Sequence, residues 1–251
     1  MKARAIKSFD KTKIAFNHFK KGGRRTVLIL CHGFWMSKDT ETFLNLSKDL
    51  FKLYDVITMD QRGHGASAGV FNFSSKEHKD IRAVINYAKR HYKQIYLMGF
   101  SLGAASSIIE VARNKNVDRL IVVSPPTRFA KIENRFLNMD AIIPWIQRLG
   151  PHIFKLRIGD IGAGKISPID VIDRISPIPL LIIHGDKDPI IFKRHAQALY
   201  NKAKEPKKII IIKKGLHAED LYRQNPKAFV NLCISWLKDI NHDQRRDDGE
   251  E

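Results

Sequence analysis

Six short runs of Val, Ile and Leu recur along this chain, at residues 27–31, 56–59, 95–98, 120–123, 180–183 and 209–212, each almost unbroken by a polar side chain. A strand with one wet face alternates apolar and polar residues. Runs this short and this continuously apolar suit strands covered on both faces, as in a parallel sheet. The stretches between them have helical spacing. Residues 39–53 set Phe43, Leu46 and Leu50 on one face, and residues 75–92 do the same with Ile81, Val84, Ile85 and Ala88. Similar patterns run through 102–113, 193–204 and 226–240. The alternation predicts an α/β fold with a doubly wound, mostly parallel sheet. Ahead of it, residues 4–9 and 14–19 flank the polar turn Asp10-Lys11-Thr12 and read as an antiparallel hairpin at the sheet edge.

The rhythm breaks once. Between 127 and 178 about fifty residues separate two strands that one helix would normally join, and a structureless loop of that length does not suit a compact domain. The expectation is a core made of residues 1–126 and 179–240, with 127–178 inserted as a small helical cap over one end of the sheet. The polar tail, 241–251, is expected to be mobile.

Composition excludes several classes. A 251-residue chain with 43% hydrophobic and 28% charged residues buries a large core without disulfides or metal. The two cysteines, Cys31 and Cys233, read as reduced core residues, and no Cys/His spacing completes a metal site. There is no apolar run of about 18–20 residues to span a bilayer, and the basic N-terminus lacks the apolar stretch of a signal peptide. A soluble, cytoplasmic protein is expected. The 44 Lys+Arg against 26 Asp+Glu give a formal charge of +18. The cations fall in short pairs such as Lys20-Lys21 and Lys207-Lys208, without a nucleic-acid motif. They predict solvated faces with weak attraction to anionic surfaces, and neither a nucleic-acid partner nor integral membrane association.

The chemistry is announced by Gly99-Phe100-Ser101-Leu102-Gly103, directly after one apolar run and directly before a helical stretch rich in small residues. A serine at a sharp strand-to-helix turn is lifted above the sheet, and glycines two residues either side let neighbouring chains approach. Its hydroxyl needs a base. In this type of fold the order is Ser, acid, His, each on a loop after a strand. That order removes the five histidines before Ser101 and His152, which lies in the insertion ahead of the acid. His195 sits inside a helical pattern and His242 in the tail, and His217, just past the last apolar run, is taken as the base. The acid comes from Asp186 or Asp188, after the run 180–183. Asp186, beside the strand end, is expected to tie down the turn by accepting backbone amides. Asp188, further out and stiffened by Pro189, is assigned the catalytic role. Amides of Leu102 and Phe34 are the expected oxyanion donors. His32 is read as a brace for its loop, Trp35, Met36 and Trp145 as walls of a substrate pocket, and Asp60–Ser67 as a structural loop held by Asp60 and Arg62.

Taken together, His32-Gly33-Phe34, Asp60–Ser67, Gly99–Gly103, His184–Pro189 and Gly215–Glu219 resemble the α/β-hydrolase superfamily, over residues 4–238. Within it the chain is similar to compact bacterial serine esterases with a short cap, relatives of lysophospholipases, acyl-protein thioesterases and serine aminopeptidases. The resemblance implies a nucleophile at Ser101, an acid at Asp188, a base at His217 and oxyanion amides at Phe34 and Leu102, with no cofactor or metal. The expected activity is hydrolysis of short- to medium-chain carboxylic esters. Thioester, lysophospholipid and small-peptide hydrolysis are the alternatives, and a ligand-binding scaffold without turnover the remote one.

Overall fold

The computed structural model describes residues 1–73, 75–129, 156–159 and 166–239. Among these, eight strands share one sheet: β1 (Lys2–Lys7), β2 (Lys13–Phe19), β3 (Thr26–Cys31), β4 (Asp55–Met59), β5 (Gln94–Phe100), β6 (Arg119–Val123), β7 (Leu180–Gly185) and β8 (Lys207–Ile212). Their order is β1-β2-β4-β3-β5-β6-β7-β8. From β4 to β8 every neighbour is parallel, and β2 joins β4 antiparallel. The chain winds from β3 outward to β4 on one side, and from β5 through β8 on the other. The winding reverses between β3 and β5, where loops leave in opposite directions and open a crevice.

Both faces of the central strands are dry, which is why their sequences show no alternation. Val27, Ile29, Ile95, Leu97, Leu120 and Val122 point to one side. There they meet α2 (Glu77–Lys89), α3 (Leu102–Asn114) and α5 (Lys193–Lys202). Their neighbours Leu28, Leu30, Met98, Phe100, Ile121 and Val123 point to the other side, covered by α1 (Glu41–Phe51), α6 (Asp220–Gln224) and α7 (Pro226–Leu237). Cys31 and Cys233 are free thiols in these two cores, and burial pushes the Cys31 thiol up to about 12.

The hairpin forms at the edge, two residues earlier than expected at its start. Ile6 pairs with Ile14, and Phe9, expected within the strand, lies in the turn with 60% of its surface exposed. β1 has one neighbour and little burial, so its bounds follow the Ser8–Thr12 turn, whose amides and carbonyls close on each other, rather than any apolar pattern.

Most of the expected cap, 130–155 and 160–165, and the tail 241–251 lie outside the described residues. At the end of that interval α4 (Pro168–Val171) and the turn after it bury Val171, Ile172, Ile175 and Ile178 in the core beside α3 and α5. Residues 156–159 run along the loop after β4. The Phe71 amide donates to Arg157 O at 2.7 Å and the Gly159 amide to Phe71 O at 2.8 Å. Among the described residues no helix is long and apolar enough to cross a membrane.

Candidate active site

The crevice between β3 and β5 collects the sequence motifs. Ser101 follows β5 directly and starts α3, with φ +50° and ψ −111°. A non-glycine residue at positive φ is strained by about 1–3 kcal/mol and is kept where the surroundings over-determine it. Here the Ser101 amide donates to Val123 O at 2.8 Å and its carbonyl accepts from Ala105 at 3.1 Å. A side chain on Gly99 would run into the backbone of Gly103 and Ala104, and one on Gly103 into the carbonyls of Cys31 and His32. The turn is this tight because glycine stands at both positions.

Gly33, after β3, backs onto the serine: a Cβ there would lie 3.3 Å from Ser101 Cβ. The amide of Leu102 opens α3, whose N-terminus carries the positive end of the helix dipole, and Phe34 follows Gly33 on the loop after β3. His32 braces that loop. Gln61 donates its amide to His32 Nε2 at 3.2 Å, so the proton sits on Nδ1 and is given to Gly33 O at 2.7 Å. Burial holds His32 below its ordinary pKa against the pull of Asp60. His64 is held the same way. Its Nε2 accepts the Trp35 amide at 3.2 Å, and burial takes its pKa down to about 3.

The loop after β4 is scaffolding, as its residues suggest. Asp60 accepts the Lys38 amide at 2.7 Å and the Ala66 amide at 2.8 Å. Arg62, 3% exposed, reaches Asp80 at 2.6 Å and Asp10 at 2.6 Å.

Across the crevice, β7 and β8 end in loops that meet. The Lys187 amide donates to Gly215 O at 3.0 Å. This brings His217 Nδ1 to 2.8 Å from Asp188 Oδ2. A carboxylate can only accept, so Nδ1 carries the proton and Nε2 is the basic nitrogen. Asp188 is 4% and His217 7% exposed. Burial pulls the His217 pKa down, but the charge and hydrogen bond of Asp188, with Glu219 and Asp220, carry it above the ordinary value. Burial likewise works to raise Asp188, and His217, His184 and the Ile191 amide leave it below its ordinary value.

One expectation is corrected. Asp186 does not accept the turn's amides: its Oδ1 is buried without a hydrogen-bond partner. Asp188 does that work itself, with Oδ1 taking the amides of Ile190 and Ile191 at 2.9 Å each. The chain turns back at Pro189, which returns those amides to the carboxylate.

Two residues of the site had no separate signal in the sequence. His184, the penultimate residue of β7, is fully buried and lies 3.3 Å from Asp188 Oδ2. Glu219 is 8% exposed, with Oε2 3.9 Å from where a Gly33 Cβ would be. It forms no ion pair among the described residues, and burial pushes its pKa up.

An aromatic wall stands beside the β3 loop. Phe34 meets Phe71 at 5.3 Å and Phe73 at 5.8 Å, and Phe73 meets Phe129 at 6.1 Å between ring centroids. Trp35 is half-buried, with its ring 5.4 Å from that of Phe34. Met36 lies in the core under α1, and Trp145 lies outside the described residues.

The arrangement can be set beside known proteins. The model of the serine aminopeptidase S33 family matches residues 22–164. The chain belongs to this family. Like other S33 relatives it is an α/β-hydrolase, and a serine hydrolase by family. YqkD of Bacillus subtilis (strain 168) is 28% identical over 224 residues, which cover 86% of this chain and 72% of YqkD. YfhR of Escherichia coli O157:H7 is 27% identical over 201 residues, 75% of this chain and 63% of YfhR, so the S33 chain described here spans less than two thirds of that relative. The fold is that of the esterase RhEst1 from Rhodococcus sp. ECU1013, with TM-score 0.79, 18% identity, and coverage of 95% of this chain and 99% of RhEst1.

Proposed function

We propose that this S33-family hydrolase is a serine esterase that cleaves short- to medium-chain carboxylic esters through Ser101, His217 and Asp188. The observation that carries the reading is the buried His217 Nδ1 to Asp188 Oδ2 bond of 2.8 Å, made on the loops beside the strained Ser101 turn. Nε2 of His217 takes the Ser101 proton as Oγ attacks the ester carbonyl. The amides of Phe34 and Leu102 hold the oxyanion. His217 then protonates the leaving alcohol, and water, activated by the same nitrogen, releases the acid from the acyl-enzyme. The aromatic wall of Phe34, Phe71 and Phe73 supports an apolar acyl group.

A second reading has one observation in its favour. Glu219 is a buried carboxyl near the nucleophile that forms no ion pair among the described residues, which suits the ammonium of an aminoacyl substrate. A chain-length series of p-nitrophenyl esters, run beside acyl-CoA and aminoacyl anilides, decides between them. Ser101→Ala should abolish turnover of the preferred substrate and labelling by a fluorophosphonate. Wild-type rates in that variant would end the triad reading.

A further inference from the structure

Asp188 is held from three sides. Oδ1 takes the amides of Ile190 and Ile191 at 2.9 Å each, and Oδ2 takes His217 at 2.8 Å. The third side is His184. Its Nε2 is 2.7 Å from Ile191 O, a carbonyl that can only accept, so the proton is on Nε2. The same nitrogen faces Asp188 Oδ2 at 3.3 Å. Nδ1 is buried with no hydrogen-bond partner, so it is the unprotonated nitrogen of a neutral ring, and burial keeps the ring below its ordinary pKa. A buried imidazole with one nitrogen idle is a costly way to fill space on a strand. What it supplies that an apolar side chain would not is the Nε2–H.

That N–H closes a ring of contacts. Ile191 gives its amide to one oxygen of Asp188, and its carbonyl is pinned by His184, which abuts the other oxygen. The turn 188–191 therefore cannot rotate without breaking a bond to β7, the rigid strand. On the triad reading above, we propose that His184 is a positioning residue: by pinning Ile191 O it fixes the Asp188 carboxylate in the one orientation that serves His217. The charged and titratable groups facing these two imidazoles are Asp188 from the β7 turn, His195 from α5, and Glu219 and Asp220 after His217.

The test compares His184→Leu and His184→Gln, alone and combined with Asp188→Asn, using kcat, KM and the pH profile of p-nitrophenyl ester hydrolysis. Glutamine can return an amide N–H near the place of Nε2, and leucine cannot. His184→Leu should lose about tenfold or more in kcat at unchanged KM, since small misplacements of catalytic groups are that costly. Its acidic limb should move down, because a misplaced Asp188 carboxylate supports the charged form of His217 less well. His184→Gln should recover most of both. In the Asp188→Asn background His184→Leu should cost nothing further, since there is no carboxylate left to place. The inference is overturned by a His184→Leu enzyme with wild-type kcat and acidic limb, by an equal loss in the Asp188→Asn background, or by a glutamine variant as impaired as leucine. If leucine does not fold, His184→Asn, whose shorter amide falls short of the Ile191 carbonyl, takes its place under the same expectations, in the wild-type and Asp188→Asn backgrounds. The triad reading fails separately, if Asp188→Asn keeps wild-type turnover or if Ser101 is not labelled by a fluorophosphonate.

Discussion

Ser124 Oγ accepts the backbone amide of Ala218 at 3.0 Å, tying the end of β6 to the residue that follows His217. Both residues sit at positive φ, 49° and 45°, so this bond holds two strained turns against each other under the imidazole. Ser124 is fully buried. Ser124→Ala leaves the Ala218 amide without its acceptor, at a cost of about 1–3 kcal/mol. The expected result is a lower urea midpoint and a kcat reduced several-fold at unchanged KM. An equally stable variant with wild-type kcat would show that the turn is held by other contacts.

The Asp188–His217 pair sets a pH dependence whose sign follows from its two shifts. His217 is raised, so its stabilising contribution is complete below the unfolded value of about 6.5 and is lost as pH rises through the folded value. Asp188 is lowered, so its contribution is present above about 3.9 and is lost as pH falls through the folded value. The pair stabilises most between about 4 and 6.5. On the triad proposed above, catalysis needs neutral His217, so the acidic limb of kcat/KM should lie above the ordinary histidine value. Asp188→Asn should move that limb down and reduce kcat on the order of 10³–10⁴-fold. A profile whose limb does not move would separate Asp188 from the ionisation that limits the rate.

Glu219 works in the opposite direction on stability. Its raised pKa means that its contribution is complete below the unfolded value of about 4.3 and is lost as pH rises through the folded value. Glu219→Gln, neutral at every pH, should therefore melt higher than the wild type, with the gap widening from pH 5 to pH 9. The glutamate charge also helps to raise His217, so the same variant should shift the acidic limb of kcat/KM down. Thermal melts across pH and one rate profile check both; a gap independent of pH would contradict the assignment.

The parts of this site that were legible before the structure are those whose physics is local. β3 to β7 announce themselves because strands dry on both faces must be apolar throughout, whereas β8 carries an equally apolar run at the sheet edge with only partial cover. The Ser101 turn is legible because glycine alone fits the crossings at 99 and 103. Chain order, with the helical setting of His195 and the tail position of His242, singled out His217 among ten histidines. What could not be read depends on where the chain returns after leaving an element. Asp186 and Asp188 differ in role because the backbone reverses at Pro189 and offers its amides to the second carboxylate. His184 acquires its tautomer from the Ile191 carbonyl, seven residues on. Glu219 is buried because Ala218 takes a left-handed turn. Helix ends were overextended for a similar reason. α1 begins at Glu41, after a turn closed by the Thr40 amide on Ser37 O at 3.1 Å, which apolar spacing does not encode.

Arg62 anchors the β4 loop through a buried pairing with Asp80 that also includes the Arg62 amide, at 2.9 Å. Its side chain is 3% exposed and Asp80 is fully buried, so removing the cation strands a carboxylate in the core. Burial already works to raise Asp80, and it stands above its ordinary value despite Arg62. Arg62→Ala should cost about 3–5 kcal/mol, read as a lower urea midpoint. Arg62→Ala/Asp80→Ala should recover part of that loss, because neither charge is left unpaired. A double variant no better than the single one would show that the loop needs the pair itself.

The aromatic wall makes the last prediction, which concerns selectivity. Phe73 stands at positive φ, 48°, between Phe71 at 4.6 Å and Phe129 at 6.1 Å, and it is half-buried. If the acyl group of the ester lies along these rings, each methylene it buries contributes about 0.8 kcal/mol, close to fourfold in kcat/KM. Phe73→Ala should then flatten the dependence on chain length, leaving acetate esters within about twofold of wild type while hexanoate esters lose about tenfold or more. The change should fall on KM, since the ring touches the acyl chain equally in the ground and transition states. A loss of the same size for acetate and hexanoate would place the acyl chain elsewhere and leave Phe73 as support for the Phe34 loop.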